Sequence, residues 1–61
     1  MPVVIVEMWE GRTLEQKEKV IKGITKAFED IGTKAASVSI ILHDVPKSSW
    51  GTNGQPASKQ S

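Results

Sequence analysis

The chain has 61 residues, and a domain of that length buries only about 60% of the surface that its unfolded chain exposes. It contains no cysteine and one histidine, His43, which excludes disulfides and argues against a structural metal as a further stabiliser. Eight Lys and Arg residues against seven Asp and Glu residues give a net charge of +1, too balanced for a protein that binds nucleic acid by neutralising phosphates.

The sequence carries no signal for membrane insertion or export. No apolar run approaches the roughly 20 residues that span a bilayer, and the amino terminus lacks the basic start and apolar core of a signal peptide. We therefore expect one cytoplasmic domain over residues 1–61, with no membrane partner. Because this domain cannot bury a large core of its own, we expect self-association to supply the missing stability.

The first predicted element is a strand over about residues 3–9, whose sequence VVIVEMW is apolar and β-branched with one charge. Such a composition is typical of a strand buried on much of both faces, as in parallel sheets. A helix follows over about residues 13–31, because Thr13 and Gln16 have the spacing of a capping box and Gly32 can end a helix in the left-handed conformation. Its apolar stripe comprises Val20, Ile21, Ile24, Ala27, Phe28 and Ile31.

A second strand is predicted over about residues 37–45, where apolar and polar residues alternate until Pro46. The remainder, about residues 47–61, is polar and contains Asn53-Gly54, which predicts a hairpin or arm. The fold class is therefore α+β: a single βαβ unit with two parallel strands, one helix and a C-terminal hairpin. The helix leaves one sheet face open, and we expect Val4, Val6 and Met8 to face partner subunits there.

Three residues are candidates for chemistry. Pro2 is either an ordinary proline at the start of a strand or, once Met1 is removed, a secondary amine able to act as a general base. Arg12 is the only arginine, and is either a solvated loop cation or a bidentate carboxylate ligand. Trp50 lies in a polar segment and either packs on a neighbouring chain or forms the wall of a pocket.

With these residues, the sequence resembles the 4-oxalocrotonate tautomerase family, the small-subunit type of the tautomerase superfamily, along nearly its whole length. The resemblance rests on Pro2 after Met1, Glu10-Gly11-Arg12 before the helix, Glu15-Gln16-Lys17 in its first turn, Ser37-Val38 at the second strand, and Trp50-Gly51 with Gly54. It implies the tautomerase (MIF-like) fold, in which βαβ units pair into dimers. Three such dimers form a hexamer with sites at subunit boundaries.

The resemblance also implies a cofactor-independent isomerase that acts on a small unsaturated carboxylic acid. Pro2, after loss of Met1, would be the general acid and base that moves a proton in an unsaturated 2-keto or 2-hydroxy acid. Arg12 would bind a substrate carboxylate. Trp50 would occupy the position of the family's pocket aromatic, usually phenylalanine, and its apolar bulk would help to keep the Pro2 amine neutral.

The sequence departs from the family at Ser39, where members that act on dicarboxylic substrates usually carry a second arginine. That arginine polarises the keto oxygen and contacts the other carboxylate. Three replacements stay open. Ser39 could donate a neutral hydrogen bond, Lys34 or a lysine of a neighbouring subunit could supply a point charge, or His43 could contribute a proton or hydrogen bond.

Two other functions also stay open. One is a related reaction of an amino-terminal proline, such as dehalogenation or decarboxylation of a small unsaturated acid. Dehalogenation is disfavoured because the tail offers Asn53 and Gln55 but no carboxylate to activate water. The other is a non-catalytic or weakly active assembly subunit of a mixed hexamer, which Ser39 favours and which Pro2 and Arg12 oppose.

Overall fold

The structure is a computed structural model that describes residues 1–59. The predicted βαβ unit and hairpin are confirmed. The elements are β1 (Val3–Trp9), α1 (Leu14–Glu29), β2 (Ser39–Val45), β3 (Gly51–Thr52) and β4 (Gln55–Pro56), with 3-10 turns at Ala35–Ser37, Lys47–Ser49 and Ala57–Lys59. β1 and β2 pair in parallel, from Val3 opposite Ser39 to Trp9 opposite Val45. β3 and β4 form an antiparallel hairpin around Asn53-Gly54, both at positive φ. The predicted tail extends to residue 61, and its residues 60 and 61 lie outside the described residues.

α1 begins at the predicted capping box. The Thr13 N–H donates to Gln16 Oε1 at 2.9 Å, and the Gln16 N–H donates to Thr13 Oγ1 at 3.1 Å. The helix ends at Glu29 rather than at about residue 31, because the chain reverses at Gly32 with φ +97°. The prediction that Ile31 belongs to the helix stripe is therefore wrong, and Ile31 is 77% exposed.

β2 begins at Ser39, two residues later than predicted. The Val38 N–H donates to the Ala35 carbonyl at 3.1 Å, so the 3-10 turn uses an amide that the predicted strand would have placed in the ladder. The strand ends before Pro46, as predicted.

The assignment of Val4, Val6 and Met8 to the partner-facing surface is wrong. Lys17 of α1 forms an ion pair with Asp44 at 2.5 Å, and Asp44 lies opposite Met8, so the even-numbered side of β1 faces the helix. These three side chains are half-buried there. The opposite side, which we call the open face, carries four residues of β1 and their partners in β2: Val3, Ile5, Glu7, Trp9, Ser39, Ile41, His43 and Val45.

One protomer has almost no interior. Among residues 1–59 only Ala57 is buried, at 2% exposure, whereas Ile5 on the open face is 57% exposed. The radius of gyration is 14.3 Å, against about 10 to 11 Å for a compact chain of this length. The helix thus covers one face of the β1–β2 sheet, and the open face has no covering layer within the described residues. No helix within the described residues has the length and apolar character to cross a membrane.

Candidate active site

Pro2 and Ser39 lie together at the amino end of the sheet. Val3 pairs with Ser39, and the Ser39 N–H donates to the Pro2 carbonyl at 3.0 Å, so the ladder fixes the position of Pro2. Pro2 itself is half-buried. With Met1 attached, the Pro2 nitrogen is an amide nitrogen whose lone pair is delocalised. Met1 is 94% exposed and nothing packs it against the protein, so its removal would leave the fold intact and free the amine.

Arg12 lies at the other end of β1. The chain leaves the strand at Glu10, whose N–H donates to the Val45 carbonyl at 3.0 Å, and turns at Gly11 with φ +107°. A residue with a side chain is strained in that conformation, so glycine there sets the direction in which the chain reaches Arg12 and the helix cap at Thr13. Arg12 is exposed and makes no ion pair within residues 1–59. Its guanidinium is therefore free to bind an anion.

Trp50 also lies at the carboxyl end of the sheet, where it meets Trp9 of β1. The two rings pack edge to face, with centroids 6.0 Å apart and an interplanar angle of 78°. The Ala57 N–H donates to the Trp50 carbonyl at 2.7 Å, which ties the hairpin back onto this residue. Lys47 completes the group, because its Nζ lies 4.8 Å from the centroid of the Trp9 ring.

The predicted site residues thus form two separate groups within one protomer. Pro2 and Ser39 mark one end of the sheet, and Arg12 and Trp50 mark the other. The strand between them has seven residues, which at about 3.3 Å per residue separates the two groups by roughly 20 Å. No substrate of a few carbon atoms can contact both groups of a single chain. A site that contains all four residues therefore needs the amino end of one chain and the carboxyl end of another.

The structure distinguishes among the proposed substitutes for the missing arginine. His43 lies on the same face as Ser39, but its Nδ1 lies 3.0 Å from both carboxylate oxygens of Glu7, so it is already engaged. It is also four residues along β2, about 13 Å away from Ser39. Lys34 precedes the 3-10 turn at the amino end, is exposed, and makes no ion pair within residues 1–59.

The structure places two further residues beside the candidate Trp50 that sequence analysis does not single out, Trp9 and Lys47. Trp9 was assigned to the first strand only, and Lys47 to the tail. The sequence contains one signal for this contact: Trp9 ends the first predicted strand and Trp50 follows the second, and the two strands are predicted to be parallel. Because the carboxyl ends of parallel strands lie at the same edge of a sheet, the two indoles were placed to meet.

The tautomerase enzyme family model matches residues 2–60 of the chain. Among characterised relatives, a 2-hydroxymuconate tautomerase of Comamonas testosteroni is 45% identical over 58 residues, which are 93% of this chain and 92% of that protein. The family-model match over residues 2–60 covers β1, α1, β2 and the hairpin, and therefore both groups of candidate residues.

Solved structures show the same fold. One of them is a 4-oxalocrotonate tautomerase isozyme of Methylibium petroleiphilum. It matches this chain with a TM-score of 0.91 at 39% identity, and the match covers 98% of both chains. A heterohexameric 4-oxalocrotonate tautomerase of Chloroflexus aurantiacus J-10-fl has a TM-score of 0.90 at 26% identity, and that match covers 100% of both chains.

Proposed function

Since this chain belongs to the tautomerase enzyme family, we propose that it is a cofactor-independent isomerase of the 4-oxalocrotonate type, with Pro2 as its general acid and base. The substrate class is a small unsaturated 2-keto or 2-hydroxy acid. The observation that supports the proposal most is the likeness to a 2-hydroxymuconate tautomerase at 45% identity over nearly the full length of both proteins.

In the proposed reaction the freed Pro2 amine takes the proton of an enol hydroxyl. The resulting ammonium then returns a proton to a carbon of the conjugated chain, so the acid is isomerised and the amine is regenerated. Such a catalyst must be neutral before it reacts, and an ordinary α-amino group has a pKa of about 7.7 to 8. In the proposed assembled site an indole wall would raise the cost of the ammonium form and a neighbouring guanidinium would repel it, so both would favour the neutral amine.

The two groups of site residues support an assembled enzyme. Pro2 and Ser39 of one subunit would meet Arg12 and Trp50 of a neighbour, with Arg12 binding a substrate carboxylate. The open face, with Val3, Ile5 and Ile41 exposed, is the surface that such neighbours would cover. We propose a homohexamer built as a trimer of dimers, the closed symmetry that the resemblance implies.

The test compares three forms of the protein with 2-hydroxymuconate as substrate. The Met1-free protein should accelerate the isomerisation, and Pro2→Ala should lower kcat/KM by about 10²- to 10⁴-fold, the usual contribution of a positioned acid-base group. A third form that carries Gly-Ser before Pro2 keeps every side chain but acylates the amine, and it should be as inactive as Pro2→Ala. Equal rates in all three forms would contradict the role of Pro2.

A second candidate function is that of an assembly subunit without significant activity. The serine in place of the family's arginine favours it, and the heterohexameric relative of Chloroflexus aurantiacus shows that mixed assemblies exist among proteins of this fold. In that case the protein alone would show no Pro2-dependent rate with either 2-hydroxymuconate or the enol of phenylpyruvate. It would still form a defined oligomer in sedimentation.

A further inference from the structure

A lysine at the carboxyl end of the sheet is not used by the proposed mechanism. Lys47 opens the turn before Trp50, and the Trp50 N–H donates to the Lys47 carbonyl at 3.2 Å, so the backbone holds the two residues together. Lys47 Nζ lies 4.8 Å from the Trp9 centroid, and Trp9 packs edge to face on Trp50. The ammonium group is therefore held beside the aromatic pair that includes the proposed pocket wall.

The charge of Lys47 is not neutralised by the protein around it. No carboxylate within residues 1–59 forms an ion pair with its Nζ. Asp44, the nearest acidic residue before it in the sequence, is held by Lys17 on the helix side of the sheet at 2.5 Å. The indole of Trp9 orients the cation but has no net charge, so the ammonium keeps donors that can bind an anion.

Lys47 also lies at the same edge as Arg12. The Glu10 N–H and the Val45 carbonyl are joined by a hydrogen bond of 3.0 Å. Arg12 follows Glu10 by two residues, and Lys47 follows Val45 by two residues. This edge therefore carries two cations without carboxylate partners and one aromatic pair beside them. Two cations can bind the two carboxylates of a diacid, and the aromatic pair can pack against its unsaturated chain.

We infer that Lys47 binds the second carboxylate of an unsaturated dicarboxylate substrate, in place of the arginine that is absent at Ser39. This inference rests on the proposed function, and it makes a diacid rather than a monoacid the preferred substrate. The lysine acts as a point charge, so it binds the carboxylate without the bidentate geometry of a guanidinium. Lys34, at the opposite end of the sheet with Pro2, is the competing candidate.

Steady-state kinetics with a diacid and a monoacid test the assignment. Lys47→Gln should lower kcat/KM for 2-hydroxymuconate by about 10- to 100-fold, the effect of losing a charged hydrogen bond, and leave the enol of phenylpyruvate within about twofold. Lys47→Arg should retain most of the diacid rate. Lys22→Gln, the same change on the exposed face of α1, should alter neither substrate.

A binding measurement separates this inference from the proposed function. Trp9 and Trp50 are the only tryptophans of the chain, so intrinsic fluorescence reports on this edge. Adipate and hexanoate differ by one carboxylate, and Lys47→Gln should raise the Kd of adipate at least tenfold without changing that of hexanoate. An equal change for both acids, or a selective loss in Lys34→Gln instead, overturns the assignment. Absence of Pro2-dependent turnover in the unmodified protein would contradict the proposed function alone, because the adipate measurement does not depend on catalysis.

Discussion

Ser39 lies where the resemblance to members that act on dicarboxylic substrates implies an arginine, and its position makes that difference testable. Its amide is bonded to the Pro2 carbonyl, and its side chain projects onto the open face. Ser39→Arg would place a guanidinium beside the proposed catalytic amine, where it can bind a carboxylate or a keto oxygen. We expect kcat/KM for 2-hydroxymuconate to rise by about tenfold, and that for the enol of phenylpyruvate to stay unchanged.

The same substitution should compensate for loss of Lys47. In a Lys47→Gln background, Ser39→Arg should restore the preference for the diacid, because the new guanidinium can then hold the second carboxylate that the neutral glutamine no longer binds. Gly23→Arg adds the same charge at an exposed position in the middle of α1, where a Cβ meets no other atom, and serves as the control. An equal gain on the diacid and the monoacid would mean that the new guanidinium does not reach the second carboxylate.

At the scale of single residues, the sequence was informative where a residue is unusual in itself. Pro2 after Met1, the sole arginine Arg12 and Trp50 in a polar segment could each be selected without knowing the fold. Whether they act as proposed is what the Pro2 and Lys47 experiments decide. The contact of Lys47 with Trp9 could not be predicted, because it joins side chains 38 residues apart through the turn after β2. The separation of Pro2 from Arg12 also became visible only once the strand register was known.

At the scale of elements, the capping box at the start of α1 makes a quantitative prediction. Thr13→Ala removes the hydroxyl that accepts the Gln16 N–H, and it should lower the free energy of unfolding by about 1 kcal/mol. Thr25→Ala is the matched control within the same helix. The Thr25 hydroxyl donates to the Ile21 carbonyl, which is already bonded in the helix, so its loss should cost less than about 0.5 kcal/mol.

Urea denaturation at one fixed chain concentration measures both variants, because the stability of an oligomer depends on concentration. Equal shifts of the two midpoints would show that the cost comes from the threonine side chain in general and not from the cap. A larger shift for Thr25→Ala would show that its half-buried methyl group, and not the cap, dominates.

The elements also show which parts of the fold the sequence could not provide. The bounds of β1 and the cap of α1 were predictable because they depend on local chemistry. The side of β1 that contacts the helix was not predictable. Residues 3–6 are all apolar, so they lack the alternation that would distinguish the two sides of the strand. The position of α1 decides which side of β1 is covered, and the ion pair between Lys17 and Asp44 and the half-burial of Val4, Val6 and Met8 show where the helix lies. The predicted helix extends too far because Ile31 continues the apolar spacing although α1 has already ended at Glu29.

At the scale of the whole molecule, the open face predicts that folding and assembly are coupled. Within residues 1–59 only Ala57 is buried, and Ile5 and Ile41 remain exposed on a face with no covering layer. Burial of such a side chain contributes about 1.5 to 3 kcal/mol. Ile5→Lys would place an unpaired charge in the covered interface, so we expect it to dissociate the oligomer and to unfold the chain.

The control for this prediction is Leu14→Lys, which makes the same kind of change at a position 73% exposed in the first turn of α1 and away from the open face. It should leave both the sedimentation coefficient and the melting temperature close to those of the unmodified protein.

The unmodified protein gives a second, independent measurement. If subunits supply the missing core, its melting temperature must rise with chain concentration, because dissociation accompanies unfolding. A melting temperature that does not change over a hundredfold range of concentration, together with monomeric sedimentation, would contradict both the assembly and the shared site, since no single chain brings Pro2 to Arg12.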